Sequence, residues 1–303
     1  MGLLAVMIVF NCKLEETKTL VSLLKNFENN QNIFERFKLI IYDNSKIIQD
    51  IDFVIPFNYE YIHNPKNIGL AGAYNHALAE GSKYFSKWLL LLDQDSSLPA
   101  DFISCLSDTT LEFENDKTVF SIAPKMFYND ALFSPSKVIY GGIHRPIDKN
   151  CTGFCDFEVF AIGSCSCVRI SFLNEIGGFN GVFWLDCLDR WLYLKIKEKG
   201  GAVYITDSHI KHELSVLDYD KFINKERYVN IINYESLFMK LYKSKPENII
   251  YYVRLLKRIF SFGFGPNKRI YSNITLRHLF SLIFQTNSRF KFDFLKKQIL
   301  YDR

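Results

Sequence analysis

Apolar positions in the first hundred residues follow two alternating rhythms. Continuous apolar runs of strand length occur at Leu3 to Phe10, at Phe37-Lys-Leu-Ile-Ile-Tyr42 and at Trp88-Leu-Leu-Leu-Leu92, with a shorter one at Tyr59-Glu-Tyr-Ile62. Runs apolar on both sides of the pleat are what strands buried on both faces require. Between them the period changes. Leu20, Leu23, Leu24 and Phe27 fall three or four residues apart within Glu15 to Glu28, which is one face of a helix. Leu70 to Glu80 is Ala-rich and predicts a second helix, with Gly81 as its expected stop. Strands alternating with helices predict an α/β fold built on a mostly parallel sheet with crossover helices.

The later chain is less regular. A helix is expected near Asp101 to Glu112, a strand at Val119 to Ala123, and an irregular stretch from Met126 to Cys155. Phe157 to Arg169 alternates well enough to predict one strand, and Phe172 to Gly178 a short helix stopped by paired glycines. Leu185 to Lys199 reads as helix and Ala202 to Thr206 as strand, with His209 to Glu213 leading out of it. From about Asp218 only helical patterns remain: Leu217 to Leu241, Ile249 to Phe262, and Ile270 to Leu300 after the break at Gly263-Phe-Gly-Pro266. The expected division is therefore an α/β part over 1–215, in portions of about 1–98 and 99–215, and a helical extension over 216–303.

Three of the predicted strands run directly into small polar residues: Asn11, then Asp43 with Asn44, then Asp93 with Asp95. In an open parallel sheet those ends share one edge, where ligands bind. If the strand continues through Asp93, its side chain and that of Asp95 point the same way. Like charges ~4 Å apart repel by about 1 kcal/mol in water and about 4 kcal/mol at an effective dielectric of 20. Such a pair raises a pKa or recruits a cation, and a divalent metal is the simplest relief; an ordinary acidic turn is the alternative. Asn67, Gly69 and Asn75 open the Ala-rich helix, where small residues let the backbone approach a ligand and amides can reach it. The same residues also suit a turn and a helix cap. Asp186 and Asp189 lie three apart at a predicted helix start, where carboxylates are also plain partners of the dipole. His212 follows a strand, the setting of many surface histidines.

Composition narrows the classes. With 303 residues and 48% apolar content the chain can bury a large core, which excludes disorder. The net charge of +4 is unevenly placed: residues 246–303 hold 11 Lys and Arg against 3 Asp and Glu, which leaves the first 245 residues near −4. Interleaved aromatics and cations there, as in Tyr251-Tyr-Val-Arg254-Leu-Leu-Lys257-Arg258-Ile-Phe260, suit either a peripheral contact with lipid or an amphipathic bundle. Nucleic acid is not the expected partner. The N-terminus lacks a basic region and a cleavage site, and no stretch approaches the ~20 apolar residues of a membrane span. Seven cysteines without framework spacing fit a reducing compartment, so the expected location is cytoplasmic, either cytosolic or peripheral at a membrane. Cys151, Cys155, Cys165 and Cys167 match no zinc pattern and are expected to be small buried residues, Cys165 and Cys167 on one side of a strand. No glycine-rich phosphate loop follows any strand, so phosphate binding falls to metal and side chains.

In order, the strand ending in Asn11, Asp43-Asn44-Ser45, Asn67-Ile-Gly69 to Asn75, and Asp93-Gln-Asp95-Ser96 resemble the family 2 glycosyltransferases. So do Gly163-Ser164, Arg169, Ile176-Gly-Gly-Phe179, the acidic helix start and His212, and the likeness is to the rhamnosyltransferase-like branch, over about residues 3 to 215. The resemblance implies a GT-A fold and an inverting transfer of sugar from a dTDP- or UDP-sugar donor to a glycan acceptor, lipid-linked in the expected setting of bacterial surface polysaccharide synthesis. It also implies roles. Asn11 and Asp43 hold the base, Asn67 and Gly69 line the nucleotide pocket, and Ser164 touches donor or acceptor. Asp93 and Asp95, with His212 nearby, hold Mg²⁺ or Mn²⁺ against the diphosphate. Asp189 matches the catalytic base, and Asp186 competes with it, because Trp191, Lys195 and Asn180-Gly181 depart from the family pattern. A sugar nucleotidyltransferase and an inactive membrane-bound scaffold are the rival readings.

Overall fold

The computed structural model describes residues 2–84, 86–212, 224–264 and 268–284. Contacts divide the chain into two compact units. The first comprises residues 2–137, 145–180 and 188–212; the second comprises 138–144, 181–187 and the described residues from 224 on.

In the first unit the apolar runs become strands. They are β1 (Leu3–Val9), β2 (Phe37–Asp43), β3 (Asn58–His63) and β4 (Trp88–Leu92). β2 and β4 are buried at every position, as runs apolar on both sides of the pleat predict. β1 pairs in parallel with β2 on one side and β4 on the other, and β2 pairs in parallel with β3. The crossovers carry α1 (Lys18–Asn29), α2 (Gln31–Phe34) and α3 (Gly69–Lys83). Gly81 does not stop α3: the helix runs on to Lys83, and a Cβ at position 81 would stand 2.8 Å from Ile170 and 3.2 Å from Leu4. The glycine permits close packing of helix on sheet rather than a cap.

The chain continues through β5 (Ser96–Ser97), α4 (Phe102–Glu112), β6 (Val119–Tyr128), β7 (Ala131–Ser134), β8 (Ser136–Ile139), β9 (Ile143–Pro146), β10 (Gly153–Phe154), β11 (Val159–Phe160) and β12 (Cys167–Arg169). It closes with α5 (Ile170–Glu175), α6 (Leu188–Glu198) and β13 (Ala202–His212). The main sheet has the order β10-β13-β6-β12-β4-β1-β2-β3, with β5 on β13 and β7 on β6. β12 is antiparallel to both neighbours, and β13 is parallel to β6. The fold is therefore α/β on a mostly parallel sheet, as the hydrophobic pattern predicts.

Four further expectations are corrected. Phe157 to Arg169 is not one strand: β11 and β12 are separated by a turn in which Cys165 takes a left-handed φ of 62° and Ser166 N–H donates to Gly163 at 2.9 Å. Cys165 therefore lies in that turn rather than beside Cys167 on a strand, though both are fully buried. The strand expected to end at Thr206 runs on to His212. The helix expected from Leu185 begins at Leu188, so Asp186 precedes it and only Asp189 occupies its first turn.

The second unit contains α7 (Lys225–Tyr242), α8 (Lys245–Gly263) and α9 (Arg269–Phe284). Asn224 caps α7 by accepting from Arg227 N–H, and Ser244 with Glu247 forms a capping box that opens α8. The expected helical stretches over 217–223 and 285–300 lie outside the described residues.

Candidate active site at the carboxyl ends of β4, β1 and β2

Parallel pairing brings the ends of β4, β1 and β2 together, so the polar residues that follow them share one edge. The loop after β4 is fixed from several sides. Gln94 accepts from Phe10 N–H at 2.8 Å and donates back to Phe10 carbonyl at 3.3 Å, joining this loop to the end of β1. Thr19 on α1 reaches the same loop: its hydroxyl lies 2.5 Å from the Asp93 carbonyl and 3.1 Å from that of Ser96, and accepts from Ser96 N–H at 3.0 Å. Backbone and hydroxyl contacts thus hold the loop that carries the acidic corner.

One oxygen each from Asp93 and Asp95 and one ring nitrogen of His212 lie within 4.8 Å of one another. Among the described residues these are the group of acidic, histidine or cysteine side chains able to hold a metal ion. His212 reaches the corner because β13 runs the extra turn of chain that sequence reading missed, and its last residues pair with Ser96 and Ser97. Its side chain is 7% exposed, with Nδ1 3.5 Å from Asp95 Oδ1 and 2.9 Å from Ser96 Oγ. Ser96 Oγ in turn lies 3.0 Å from Ser164 Oγ, which accepts from Asp93 N–H at 3.4 Å. Hydroxyl partners of this kind fix the rotamers of groups that bind a cation.

Burial and then the Asp95 carboxylate push Asp93 up to about 6, against the lowering pull of His212 and of hydrogen bonds from Tyr74 and Ser164. Tyr74, fully buried on α3, donates to Asp93 Oδ1 at 3.5 Å. Its own pKa is driven well above the usual phenol range by burial, then by the charges of Asp93 and Asp189. Asp189 thus acts on the same hydroxyl that donates to Asp93. Gly163 explains how Asp189 fits: a Cβ on that glycine would stand 2.5 Å from Asp189 Oδ1 and 3.8 Å from Leu91 on β4. Asp186 is elsewhere in chemistry. Both of its oxygens are held by the Arg227 guanidinium, Oδ1 at 2.8 Å from Nη2, with Nη1 on Oδ2.

The other sequence candidates divide. Asn11, with a left-handed φ of 50°, donates its N–H to Ser45 Oγ at 2.8 Å. Asp43 is fully buried, and its carboxylate accepts from Ser45 N–H at 2.8 Å, Gln49 Nε2 at 2.9 Å and Tyr61 Oη at 2.7 Å. Gln49 also accepts from Leu14 N–H and donates to the Cys12 carbonyl, which makes it the organiser of the loop after β1. Asn67 and Gly69 both have positive φ, and Asn67 Oδ1 accepts from Gly69 N–H at 3.2 Å, so they form the sharp entry to α3. Asn75 is occupied differently from the sequence expectation: its amide donates to the Phe179 carbonyl at 2.8 Å and accepts from Phe179 N–H at 2.7 Å. It ties α3 to the paired-glycine turn. Thr19, Tyr74, Gln49, Gln94 and Ser96 have no role assigned by the sequence pattern, even where a quoted motif contains them, since a lone polar residue on an apolar helix or after a strand gives no periodic signal.

A mostly parallel sheet with two carboxylates and an imidazole at its carboxyl edge defines an α/β protein of the kind that binds ligands at that edge. The sequence pattern of glycosyl transferase family 2 matches residues 5–175, more than half of the chain. The chain belongs to that family and is a glycosyltransferase. No curated protein matches it. Among solved structures it is similar to residues 1–349 of S. aureus TarS, at 13% identity and a TM-score of 0.50, with 95% of this chain and 93% of that chain covered. The structure of the same TarS piece in complex with UDP-GlcNAc gives 12% identity and a TM-score of 0.49, over 95% of this chain and 74% of that one. At 13% identity the likeness to the first concerns the fold, which is GT-A-like.

Proposed function

We propose that this glycosyltransferase moves a sugar from a nucleoside diphosphate donor to a glycan hydroxyl with inversion, and that a divalent cation at Asp93, Asp95 and His212 anchors the donor diphosphate. The observation that carries the reading is the meeting of those three side chains within 4.8 Å at the end of β4, in a chain of family 2. Two carboxylates and an imidazole suit a cation of intermediate hardness, and the imidazole favours Mn²⁺ over Mg²⁺. When bound, the cation supplies neutralisation of the negative charge that grows on the leaving diphosphate.

The protein's own residues do the rest. In this reading Asn11 and Asp43 bind the base, with Gln49 and Tyr61 aligning the Asp43 carboxylate, and Asn67 with Gly69 lines the nucleotide pocket. Ser96 and Ser164 orient His212 and the Asp93 loop. Asp189 accepts the proton of the acceptor hydroxyl as the new bond forms. Its support over Asp186 is that the Asp186 carboxylate is already paired on both oxygens with Arg227, whereas Asp189 shares the surroundings of Tyr74 and Asp93. Asn75 acts as a positioning residue through Phe179.

The finer reading takes rhamnose from dTDP-rhamnose and a lipid-linked glycan as acceptor, in surface polysaccharide synthesis at the cytoplasmic face of the membrane, with membrane contact through 246–303. What supports it is the ordered set of motifs from Asn11 to His212 and the basic, aromatic tail. A panel of nucleotide sugars, dTDP-rhamnose and UDP-GlcNAc among them, is tested for thermal stabilisation and for release of nucleoside diphosphate, with and without Mn²⁺. One donor should raise the melting temperature and turn over only with metal. Release of nucleoside diphosphate from none of them, with or without an acceptor, would place the chain among inactive scaffolds, and formation of a nucleotide sugar from a sugar phosphate would place it among nucleotidyltransferases.

A further inference from the structure

The helices of the second unit use one side to build a small core and leave the other outward. Tyr228, Ile231 and Ile232 of α7 pack with Tyr271 of α9. Tyr228 Oη lies 2.5 Å from Thr275 Oγ1, and Ser272 on α9 donates to the Ile259 carbonyl on α8 at 2.8 Å. The inward cations of α8 have partners: Arg258 is bidentate on Glu235, and Arg254 donates to the carbonyl of Gly142 at 3.2 Å.

The outward side has a different composition. On α8, Ile249, Val253, Leu256 and Phe260 follow spacings of four, three and four, so they form one stripe, and they are 62%, 46%, 43% and 63% exposed. On α9, Leu276, Phe280, Ile283 and Phe284 form a second stripe with 38%, 53%, 53% and 62% exposure. Lys245 and Lys257 on α8 and Arg269 and Arg277 on α9 are exposed as well. No carboxylate shares these faces. α9 contains none, and the one on α8, Glu247, is held by Ser244 in the capping box. Among the described residues no helix is long and apolar enough to cross a membrane.

We propose that the outward faces of α8 and α9 together form a surface that lies flat on an anionic lipid bilayer. The apolar stripes enter the boundary between headgroups and acyl chains while the four cations meet lipid phosphates. Charge selects this occupant: an apolar face edged only by cations is complementary to a negatively charged sheet of headgroups and repels a second copy of itself. The inference deepens the membrane contact of the proposed function and rests on that reading for its purpose, not for its geometry.

The 303-residue chain is sedimented with vesicles of phosphatidylcholine alone and of phosphatidylcholine with about 30% phosphatidylglycerol, over a salt series. It should bind the anionic vesicles, weaken with salt, and bind the neutral vesicles at least tenfold less. Each cation near such a surface is worth about fivefold in partition, so Lys257→Glu with Arg277→Glu should lower binding by at least about 25-fold. Phe260→Ser with Phe280→Ser should lower it comparably, with circular dichroism and release of nucleoside diphosphate unchanged as evidence of folding. Indifference of the native protein to anionic vesicles overturns the proposal. So does a dimer by light scattering that becomes a monomer with the phenylalanine pair and never binds lipid. A chain that binds vesicles but transfers no sugar refutes the catalytic reading alone, and an active chain that ignores vesicles refutes this surface alone.

Discussion

Asp189 and Asp186 are three residues apart, yet their surroundings differ, and the proposed function gives them different work. The first-turn carboxylate of α6 has room only because position 163 is glycine. Gly163→Ala should therefore displace the Asp189 carboxylate and lower transfer while leaving nucleotide affinity within about twofold, which single-turnover kinetics beside calorimetry can separate. Asp189→Asn should cut transfer by about 10²–10⁴ with donor binding retained, the size expected for loss of a general base. Asp186→Asn should instead act on stability. It leaves Arg227 without half of a paired, largely buried contact, so the melting temperature falls while transfer per folded molecule is kept. If Asp186→Asn abolishes transfer and Asp189→Asn does not, the assignment of the base is reversed. Ser96→Ala, which removes an indirect support of the proposed metal site, should weaken Mn²⁺ by about 10-fold to 100-fold. The sequence exposed the acids themselves, because two carboxylates directly after five apolar residues stand out. It could not expose what each acid touches: Arg227 is 41 positions from Asp186, and Phe179 is 104 from Asn75.

The elements best predicted were those whose burial is uniform. β1, β2 and β4 read correctly because strands covered on both faces need apolar residues at every position, a signal that survives without any knowledge of neighbours. Elements set by distant contacts did not. Gly81 looked like a helix stop and is a packing notch against Ile170; the run from Phe157 looked like one strand and is broken by a left-handed Cys165. In the helical unit, His278 on α9 carries an element-scale prediction. Burial holds its imidazole down at about 4, with Arg258 lowering it further and Glu235 opposing, while Nε2 lies 3.0 Å from Ser236 Oγ on α7. A histidine depressed in the fold and near 6.5 when unfolded contributes stability that is complete above about 6.5 and is lost as pH falls toward about 4. Because the ring is part-exposed, the contribution is discounted to on the order of 1–2 kcal/mol. His278→Gln should shrink the difference between melting temperatures at pH 7.5 and pH 4.5; an unchanged difference would show that the imidazole does not titrate there.

On the scale of the whole molecule, the α/β class and the helical tail were both visible in the change of hydrophobic period near residue 215, and the charge asymmetry marked the tail as basic. The grouping of 138–144 and 181–187 with the helices was not visible, since short segments join a unit through contacts that no local pattern encodes. No local pattern joins Asp95 to His212 either: the sequence pairs them only through the family resemblance, and the strand that carries His212 to Ser96 brings them within 3.5 Å. Calorimetric titration of UDP and dTDP, with and without Mn²⁺, into the native chain and into Asp95→Ala tests that meeting most directly. The native chain should bind one of the two at least tenfold more tightly with Mn²⁺, and Asp95→Ala should lose that gain while keeping its metal-free affinity. Equal gains from Mn²⁺ in both proteins would contradict a cation held at this corner.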